Sequence, residues 1–507
     1  MNILMVLADQ HNATQLGCAG HAQALTPNFD RLAANGVRFT RAYAQNTICT
    51  PSRVSILSGQ YCHNHGYYAL SGPANFGVPN LMRHCRAHGY RTAAYGKLHL
   101  PNRPRNWLAD DLEEFGDSYE NIDGVIGTSE FLAGLERDGL RDLEDSWHNF
   151  SGAYGKSSLL GNDATASRLP YERTQEVWCA RKAMAFIDRE PEKPFCIQIA
   201  FQKPHHPLLP QQRFLDLYPE DIDLPPTYDH EPGGRPPHFR RMWEAAREYE
   251  WPCARPGEDA SAGPRRAWRA TLACVSQIDD VLGMLLDYLD AKGLADDTIV
   301  IYGGDHGGYH TVHGILEKAP GICSDAVCRV PMIWRVPGLT PRGHVCDALA
   351  ENVDLAPTLA RLCGLPELDS ADGADLTPLL RGEDTAVHPH AVTENAWSKA
   401  IRWDRWRLVH YPAGMFGDKP TGELYDMAED PDETRNRYND PACAEVVREG
   451  RARLLDWLIA TSRVTTSQPA VYEGERFGAR TYPLCTDGRA PNPIQPRNRQ
   501  ERELNYL

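Results

Sequence analysis

Residues 49–53 read Cys-Thr-Pro-Ser-Arg, and they join an apolar strand pattern at residues 37–44 to a short helical pattern that ends at Gly59. Pro51 suits the first position of a helix, because the N–H that proline lacks would have no partner there. Thr50, just before it, is an acceptable N-cap residue. The stretch therefore predicts a strand, a turn and a helix in succession, which is the basic unit of an α/β fold.

Cys49 should then lie just before the N-terminus of this helix, with Arg53 beside it. The positive potential at such a place favours a thiolate or another anion. The alternative is a cysteine that is buried beside the helix start and takes no part in chemistry.

Strand and helix patterns alternate from the N-terminus to about residue 365. This alternation predicts an α/β fold with a large, mostly parallel sheet that is sandwiched by helices. Strands are expected at residues 3–8, 92–95, 195–200, 298–302 and 330–336, and helices at residues 28–35, 80–88, 174–189, 267–292 and 355–363. Gly293 is expected to cap the longest of these helices.

From about residue 368 the pattern changes to short antiparallel strands, at residues 391–393, 399–403 and 406–411, followed by a helix at residues 442–462. We predict a catalytic α/β domain (1–367), a smaller C-terminal subdomain built on this sheet and helix (368–462), and an extended tail (463–507). The tail either wraps its own body or reaches into another subunit of a homodimer or homotetramer. The irregular stretches at residues 102–170 and 207–263 are expected to select the substrate.

The composition excludes several classes of partner. Lys and Arg number 53 against 68 Asp and Glu, which gives a net charge of −15 and argues against nucleic acid and against an anionic membrane surface. The first apolar run is too short for a signal-peptide core, and no run approaches the length of a membrane span. The 14 cysteines follow no spacing framework, so most should be reduced and buried. We therefore expect a cytoplasmic protein.

Polar side chains follow several of the predicted strands directly. They are Asp9, Lys97, His99, His205, Asp305 and His306. The carboxyl ends of parallel strands line up along one edge of a sheet, where ligands bind. Residues that are far apart in sequence should therefore meet in one pocket.

Asp9, Asp305 and His306 have the character of metal ligands. Two carboxylates and an imidazole suit a divalent cation such as Ca²⁺, Mg²⁺ or Mn²⁺. Gln10 either lends a carbonyl oxygen to the metal or serves as a neutral hydrogen-bonding group. The alternative for the two aspartates is a turn-capping role.

An anionic substrate needs local positive charge in so acidic a protein, and Arg53, Lys97 and Lys318 are the candidates that supply it. A lone lysine is usually a solvated surface group, but Lys97 follows an apolar strand. His205 is placed to protonate a leaving group.

With these residues in place, the chain resembles the sulfatases of the alkaline phosphatase superfamily over nearly its whole length, close to bacterial arylsulfatases and phosphonate monoester hydrolases. The matching pieces are Asp9-Gln10, Thr26-Pro27-Asn28-Phe29-Asp30-Arg31-Leu32, Cys49-Thr50-Pro51-Ser52-Arg53, Gly96-Lys97-Leu98-His99, Lys203-Pro204-His205-His206-Pro207, Asp305-His306-Gly307, and Glu423-Leu424-Tyr425-Asp426 with Asp430-Pro431. The resemblance implies an alkaline phosphatase-like fold.

The resemblance also implies the roles of the residues. A formylglycine-generating maturation enzyme would convert Cys49 to formylglycine, whose hydrate is the nucleophile. The ligands of one divalent cation, with Ca²⁺ expected and Mn²⁺ or Mg²⁺ as alternatives, would be Asp9, Cys49, Asp305 and His306. The resemblance further implies that Arg53 holds the hydrate and that Lys97 and Lys318 bind the sulfate oxygens. It also implies that His99 assists the diol and that His205 is the general acid.

The implied reaction is the hydrolysis of a sulfate monoester, an aryl or alkyl sulfate, through a sulfated enzyme. One hydroxyl of the hydrate attacks sulfur, and loss of the proton of the second hydroxyl then expels sulfate. The alternative is hydrolysis of phosphonate monoesters or phosphodiesters at the same site, which is also expected as a side activity. Relatives with that activity tend to carry hydroxyl-bearing residues where this chain has Lys97 and His99.

Two functions from other classes of protein fit the sequence less well than a sulfatase does. A phosphoglycerate mutase-like or nucleotide pyrophosphatase enzyme would need a serine or threonine nucleophile and ligands for a second metal. A non-enzymatic binding protein on the same scaffold would be expected to lack Cys49, Arg53 or a metal ligand, and none of these is missing.

Overall fold

The computed structural model of this chain describes residues 1–70, 72–144, 164–248, 258–315, 318 and 322–463. The predicted tail lies outside the described residues from residue 464 onward, and the two predicted substrate-selecting stretches lie partly outside them. None of the helices built from the described residues has the length and apolar character that a membrane-spanning helix requires.

The described part of the chain contains the alternating elements that the sequence predicts. The strands are β1 (Asn2–Asp9), β2 (Val37–Tyr43), β3 (Arg91–Gly96), β4 (Glu114–Asp117), β5 (Phe195–Pro204), β6 (Thr298–Gly304), β7 (Arg329–Arg335), β8 (His344–Glu351), β9 (Ala391–Glu394), β10 (Lys399–Trp403), β11 (Trp406–Tyr411) and β12 (Thr421–Asp426). The helices are α1 (Pro27–Ala34), α2 (Cys49–Ser58), α3 (Cys62–His65), α4 (Leu81–Ala87), α5 (Glu130–Arg137), α6 (Gln175–Arg189), α7 (Gln212–Leu215), α8 (Pro237–Glu248), α9 (Ala262–Ala291), α10 (Asp325–Cys328), α11 (Leu355–Leu362), α12 (Thr377–Leu380) and α13 (Ala444–Thr461).

Eight strands form one large sheet in the order β4-β3-β5-β1-β6-β7-β2-β8. The pairings are parallel except those of β7, which runs antiparallel to both of its neighbours. The sheet is therefore mostly parallel and flanked by helices, which confirms the predicted fold class.

β1 shows why an unbroken apolar run forms the centre of this sheet. Its side chains alternate between two large cores: Ile3, Met5 and Leu7 belong to one, while Leu4 and Val6 belong to the other. A strand buried on both faces has no polar face, so its sequence is apolar throughout. The central strand therefore ends in Asp9 at the edge of the sheet rather than on a solvated face.

The longest helix, α9, ends where the sequence predicts. Lys292 is its C-cap residue, and Gly293 follows with a φ of 68°. The N–H of Gly293 bonds to the carbonyl of Asp290, and the N–H of Leu294 bonds to that of Leu289. This is a Schellman motif, in which glycine relieves the strain of a left-handed residue. The helix begins at Ala262, somewhat before the predicted start.

A separate antiparallel sheet, β12-β11-β10-β9, follows in the chain and confirms the predicted smaller unit. Trp403, Leu408 and Trp457 share a core cluster that joins this sheet to α13. The sequence patterns do not predict β4, β8, β12, α5 or α8. The boundaries of the domains stay a prediction. The cysteines in the described residues are free and most are buried, as expected.

Glu351, the last residue of β8, forms a second cluster of possible ligands with Asp354 and His388. Backbone N–H groups donate hydrogen bonds to its carboxylates. Those of Glu351 and Ala374 donate to Asp354, and that of Val392 donates to Glu351. His388 Nε2 lies 2.9 Å from both oxygens of Asp354. The cluster therefore fixes the chain at the start of α11 and needs no ion to balance it.

His388→Gln is expected to make stability less dependent on pH. Although burial acts to lower it, the carboxylates of Asp354 and Glu351 raise the pKa of His388 to about 9. Because this pKa lies above the unfolded value of about 6.5, the stabilisation is complete below that pH and is lost as the pH rises through about 9. The variant should lose roughly 2–3 kcal/mol of unfolding free energy at pH 6 and much less above pH 9.

Urea unfolding of the variant and the wild type at pH 6 and pH 9.5 measures this difference. His390→Gln is the matched control, because burial lowers the pKa of His390 to about 4 and the side chain stays neutral throughout. A loss that is equal at both pH values would contradict the assignment of the stabilisation to the charged His388.

Candidate active site

The polar residues predicted at strand ends lie together at one edge of the large sheet. β3, β5, β1 and β6 are neighbours and run parallel, so their carboxyl ends meet. These ends, together with the turn after β2, deliver Asp9, Cys49, Arg53, Lys97, His99, His205, Asp305 and His306. Lys318, from the loop after β6, reaches the same place through its side chain. The structure therefore brings every predicted site residue into one cluster.

The helix that carries Cys49 begins earlier than predicted. α2 has Ile48 as its N-cap residue, so Cys49 is its first residue and Pro51 its third. Thr50 is not the N-cap; its hydroxyl instead lies 2.8 Å from the carbonyl oxygen of His99. The prediction is wrong because the helix already begins at Cys49. Thr50 is therefore a helical residue, and its hydroxyl bonds to the His99 carbonyl instead of capping the helix.

Arg53 is completely buried beneath the site and holds two carboxylates. Its Nε donates to Asp305 Oδ2 at 2.7 Å, its Nη2 donates to Asp9 Oδ2 at 3.1 Å, and its Nη1 donates to the carbonyl of Lys97. Burial alone would lower the pKa of the guanidinium, but Asp305 and Asp9 raise it above its ordinary value. A permanent positive charge therefore lies between the two aspartates.

The two oxygens of Asp9 have different neighbours. Oδ2 accepts from Arg53 and lies 2.8 Å from Lys97 Nζ. Burial acts to raise the pKa of this carboxyl, but Lys97 and the neighbouring cationic groups hold it well below its usual value. Oδ1 lies 3.6 Å from Cys49 Sγ and 3.8 Å from His306 Nε2. Asp9 is thus an ionised carboxylate with one oxygen turned toward these two residues.

The donor atoms of Asp9, Cys49, Asp305 and His306 all lie within 4.8 Å of one another, and the four residues are buried. His306 Nδ1 lies 2.7 Å from the carbonyl oxygen of Gly307, so Nδ1 carries the proton and Nε2 presents a lone pair to the cluster. Burial lowers the pKa of His306, which favours this neutral form. Two carboxylates and a neutral imidazole on converging vectors fit a divalent cation.

Cys49 is a neutral thiol in this setting. Its Sγ lies 3.2 Å from His306 Nε2. Burial, together with the negative charge of Asp9, raises the pKa of the thiol to about 12. The expectation of a thiolate at the helix start is wrong, because desolvation and the nearby carboxylate outweigh the positive potential of the helix terminus.

His205 and Lys318 form a hydrogen-bonded pair in the same cluster. His205 Nδ1 lies 2.6 Å from the carbonyl oxygen of His206, so it carries the proton, while Nε2 lies 3.0 Å from Lys318 Nζ. Burial and Lys318 hold the pKa of His205 well below its usual value. Lys318 Nζ also donates to Gln10 Oε1 at 3.1 Å, so the side chain of Gln10 has a hydrogen-bonding role here.

His99 is half-buried at the rim, with a φ of 47°. Burial and the charge of Lys97 lower its pKa well below the usual value, so the ring is neutral. Thr50 contacts its carbonyl, and the N–H of Leu98 before it donates to Asp117 Oδ2 at 2.9 Å. The residues around His99 thus hold its backbone in a left-handed conformation that residues other than glycine rarely adopt.

Several further residues support the site through hydrogen bonds to backbone carbonyls. Ser52 donates to the carbonyl of Asp305, Asn352 donates to the carbonyl of Gly304 at 3.0 Å, and His310 Nε2 lies 2.7 Å from the carbonyl of Gln10. Ser52 stands in the decisive pentapeptide and could have been noted there. Asn352 stands in no motif that would single it out, whereas His310 lies in the loop of residues 308–314, close in sequence to Asp305 and His306, and this closeness marks it as a histidine that could orient a ligand.

Comparisons with known proteins agree with this geometry. A family model described as sulfatase matches residues 1–365, and one described as the C-terminal part of N-sulphoglucosamine sulphohydrolase matches residues 313–459. N-acetylglucosamine-6-O-sulfatase of Bacteroides thetaiotaomicron is 25% identical over 88% of this chain and 84% of its own length, and choline-sulfatase of Rhizobium meliloti is 28% identical over 94% and 92%. The solved phosphonate monoester hydrolase of Agrobacterium radiobacter matches with a TM-score of 0.73 at 22% identity, over 91% of this chain and 96% of that one.

The fold and the gathered strand-end residues define a hydrolase of the alkaline phosphatase superfamily. Because the sulfatase model covers well over half of its length, this chain belongs to the sulfatase family. It is a sulfuric ester hydrolase, and the predicted resemblance is confirmed.

Proposed function

We propose that this enzyme hydrolyses sulfate monoesters of small molecules with a formylglycine at position 49 and one divalent cation beside it. The observation that carries the proposal is the convergence of Asp9, Cys49, Asp305 and His306 on one buried point, with Arg53 behind them. A maturation enzyme would convert Cys49, whose neutral and buried thiol is a poor nucleophile as it stands.

Asp9, Asp305, His306 and the residue at position 49 would hold the cation. We propose Ca²⁺, with Mn²⁺ and Mg²⁺ as the alternatives, because carboxylate oxygens form half of the donor set. When bound, the cation supplies Lewis acidity: it favours ionisation of a hydroxyl and draws charge from a sulfate oxygen. Formylglycine supplies an aldehyde carbon that can carry two hydroxyls.

The remaining residues handle charge and protons. Lys97 and Lys318 both bring positive charge close to Cys49, which suits the oxygens of a sulfate group. Neutral His99 can accept a proton from the diol. Arg53, whose donors are engaged by Asp9, Asp305 and the backbone, fixes the carboxylates and adds positive charge.

His205 and Lys318 would share the proton that the leaving oxygen needs. His205 keeps its own proton on Nδ1, toward the backbone, and its Nε2 accepts from the Lys318 ammonium. The proton is therefore stored on Lys318 Nζ and reaches the leaving oxygen from there or through His205 Nε2. This refines the role of general acid that the sequence suggests for His205 alone.

Hydrolysis of phosphonate monoesters or phosphodiesters is the second candidate. The fold match to a phosphonate monoester hydrolase favours it as a side activity. Lys97 and Lys318 favour a sulfate monoester as the main substrate, since their charges can offset that of the leaving group and occupy room that the second substituent of a diester would need. A cytoplasmic location and a homodimer or homotetramer formed through the tail stay predictions.

The proposal is tested by the mass of the tryptic peptide of residues 42–53 and by the rates at which the enzyme hydrolyses an aryl sulfate and an aryl phosphonate. We expect this peptide to weigh about 18 Da less than its unmodified form, because CHO replaces CH₂SH. We also expect an aryl sulfate to be hydrolysed faster than an aryl phosphonate. Unmodified cysteine in an active enzyme would exclude the aldehyde chemistry, whereas modified cysteine with the phosphonate preferred would reverse the choice of substrate only.

A further inference from the structure

The motif Glu423-Leu424-Tyr425-Asp426 with Asp430-Pro431 lies in the small C-terminal sheet and the loop after it, and none of its residues belongs to the candidate active site. That loop continues into Glu433, which is 2% exposed and has a φ of 53°. Asp430 shapes the turn, because its side chain accepts from the N–H of Thr434 at 2.9 Å and of Arg435 at 2.8 Å. A buried charge in a strained conformation persists only where its surroundings demand it.

One end of the segment that bears Lys318 is fixed by the Glu433 carboxylate. The N–H of Asp325, at the start of α10, donates to Glu433 Oε2 at 2.9 Å. Arg407, from β11, forms an ion pair with Glu433 Oε1 and donates through Nη2 to the carbonyl of Cys323. Cys323 and Asp325, which follow Lys318 in the chain, are therefore held by Arg407 of the small sheet and by Glu433.

The other end of this segment is fixed through the backbone of the same loop. Arg235 donates to the carbonyl of Glu433, and its Nη2 lies 3.5 Å from His313 Nε2. The His313 ring also bonds to the backbone of Asp432. Glu423 lies 3.8 Å from Arg235 Nη1, so the first part of the motif holds the same arginine. His313, which precedes Lys318 in the chain, is thus held by the same loop.

We propose that Glu433 is a positioning residue for Lys318. After Lys318 in the sequence, the carboxylate of Glu433 contacts Asp325 and Arg407. Before Lys318, the backbone carbonyl of Glu433 contacts Arg235, which in turn contacts His313. The small sheet would thereby set where the Lys318 ammonium stands against Gln10 and His205. This inference rests on the proposed function, in which Lys318 binds a sulfate oxygen.

Inorganic sulfate, used as a competitive inhibitor of aryl sulfate hydrolysis by the metal-loaded, full-length enzyme, is the probe. We expect Glu433→Gln to weaken sulfate binding about tenfold, because loss of the ion pair with Arg407 loosens one end of the segment. Glu429→Gln is the matched control: it lies in the same loop and pairs with Arg405, but its side chain is 65% exposed. That variant should bind sulfate like the wild type.

A double-mutant cycle with Lys318→Ala separates positioning from general damage. If Glu433 acts through Lys318, Glu433→Gln should cause little further loss of sulfate affinity in the Lys318→Ala background. An equal loss in both backgrounds, or wild-type affinity in the single variant, would overturn the inference. If Lys318→Ala alone leaves sulfate affinity unchanged, the proposed role of Lys318 is wrong and the inference falls with it.

Glu433→Asp keeps the cycle usable if the glutamine variant does not fold. It retains the negative charge but is one methylene too short to reach both Asp325 and Arg407 from the same backbone position. We expect sulfate binding to weaken in the same direction and to depend on Lys318 in the same way. Wild-type affinity in this variant would overturn the inference as well.

Discussion

Cys49→Ser is expected to reduce sulfatase turnover by at least about 10³-fold while the protein stays folded. A serine hydroxyl at this position could attack sulfur, but the resulting serine sulfate has no second hydroxyl on the same carbon that could expel sulfate. The sulfated serine would have to wait for attack by water. The variant should therefore release about one equivalent of phenol from an aryl sulfate and then stop, with its mass increased by about 80 Da.

Stopped-flow absorbance measures the burst of phenol, and the mass of the intact protein measures the added sulfate group. Cys49→Ala should show neither the burst nor the mass increase, because it lacks a hydroxyl. Cys346→Ala is the control for loss of a buried cysteine, since Cys346 lies on β8, away from the site. Sustained wild-type turnover by the serine variant, with the serine shown to be unmodified, would contradict the diol chemistry.

The positions of the reacting groups follow from the sequence because they depend on strand ends. An apolar run buried on both faces can be recognised by its length and composition, and the first polar residue after it must lie at the edge of the sheet. Asp9 and Asp305 are located by this rule alone. Lys318 is not, because it stands in a loop; the need for positive charge near an anionic substrate and the family resemblance select it.

The sequence does not reveal which contacts hold these groups in place. Thr50 is expected to cap its own helix, but it bonds to His99 instead, and this partner depends on how two loops pack. The left-handed conformations of Gln10 and His99 are likewise imposed by distant residues, since neither side chain prefers them. The thiol pKa also depends on the tertiary structure, because burial and Asp9 decide it.

The missed strands have a related cause. β8 is an edge strand with two exposed residues, and β12 is the edge strand of the small sheet, so neither carries the apolar run that marks a central strand. Their pairing is set by the partner strand that they meet rather than by their own pattern. Sequence periodicity therefore predicts the centre of each sheet better than its edges.

Arg53→Met is expected to destabilise the metal-free protein by about 3–5 kcal/mol, because it leaves Asp9 and Asp305 buried without their shared cation. Lys97 remains near Asp9, but among the described residues the donors left to the Asp305 carboxylate are the backbone N–H groups of Gln10 and His306. Urea unfolding in the presence of a chelator measures the loss. Arg31→Met is the matched control, since it breaks an exposed ion pair with Asp287 and should cost less than about 1 kcal/mol.

The same variant tests whether the carboxylates are built for a cation. Without the guanidinium, the site carries more negative charge, so a divalent cation should bind more tightly and stabilise the variant more than the wild type. The rise in unfolding midpoint on adding Ca²⁺ after the chelator is removed is therefore expected to be larger for Arg53→Met than for either the wild type or Arg31→Met. Equal rises in all three proteins would mean that Asp9 and Asp305 do not face the ion. In that case Arg53 would serve only to neutralise two buried carboxylates, and the metal would have to lie elsewhere.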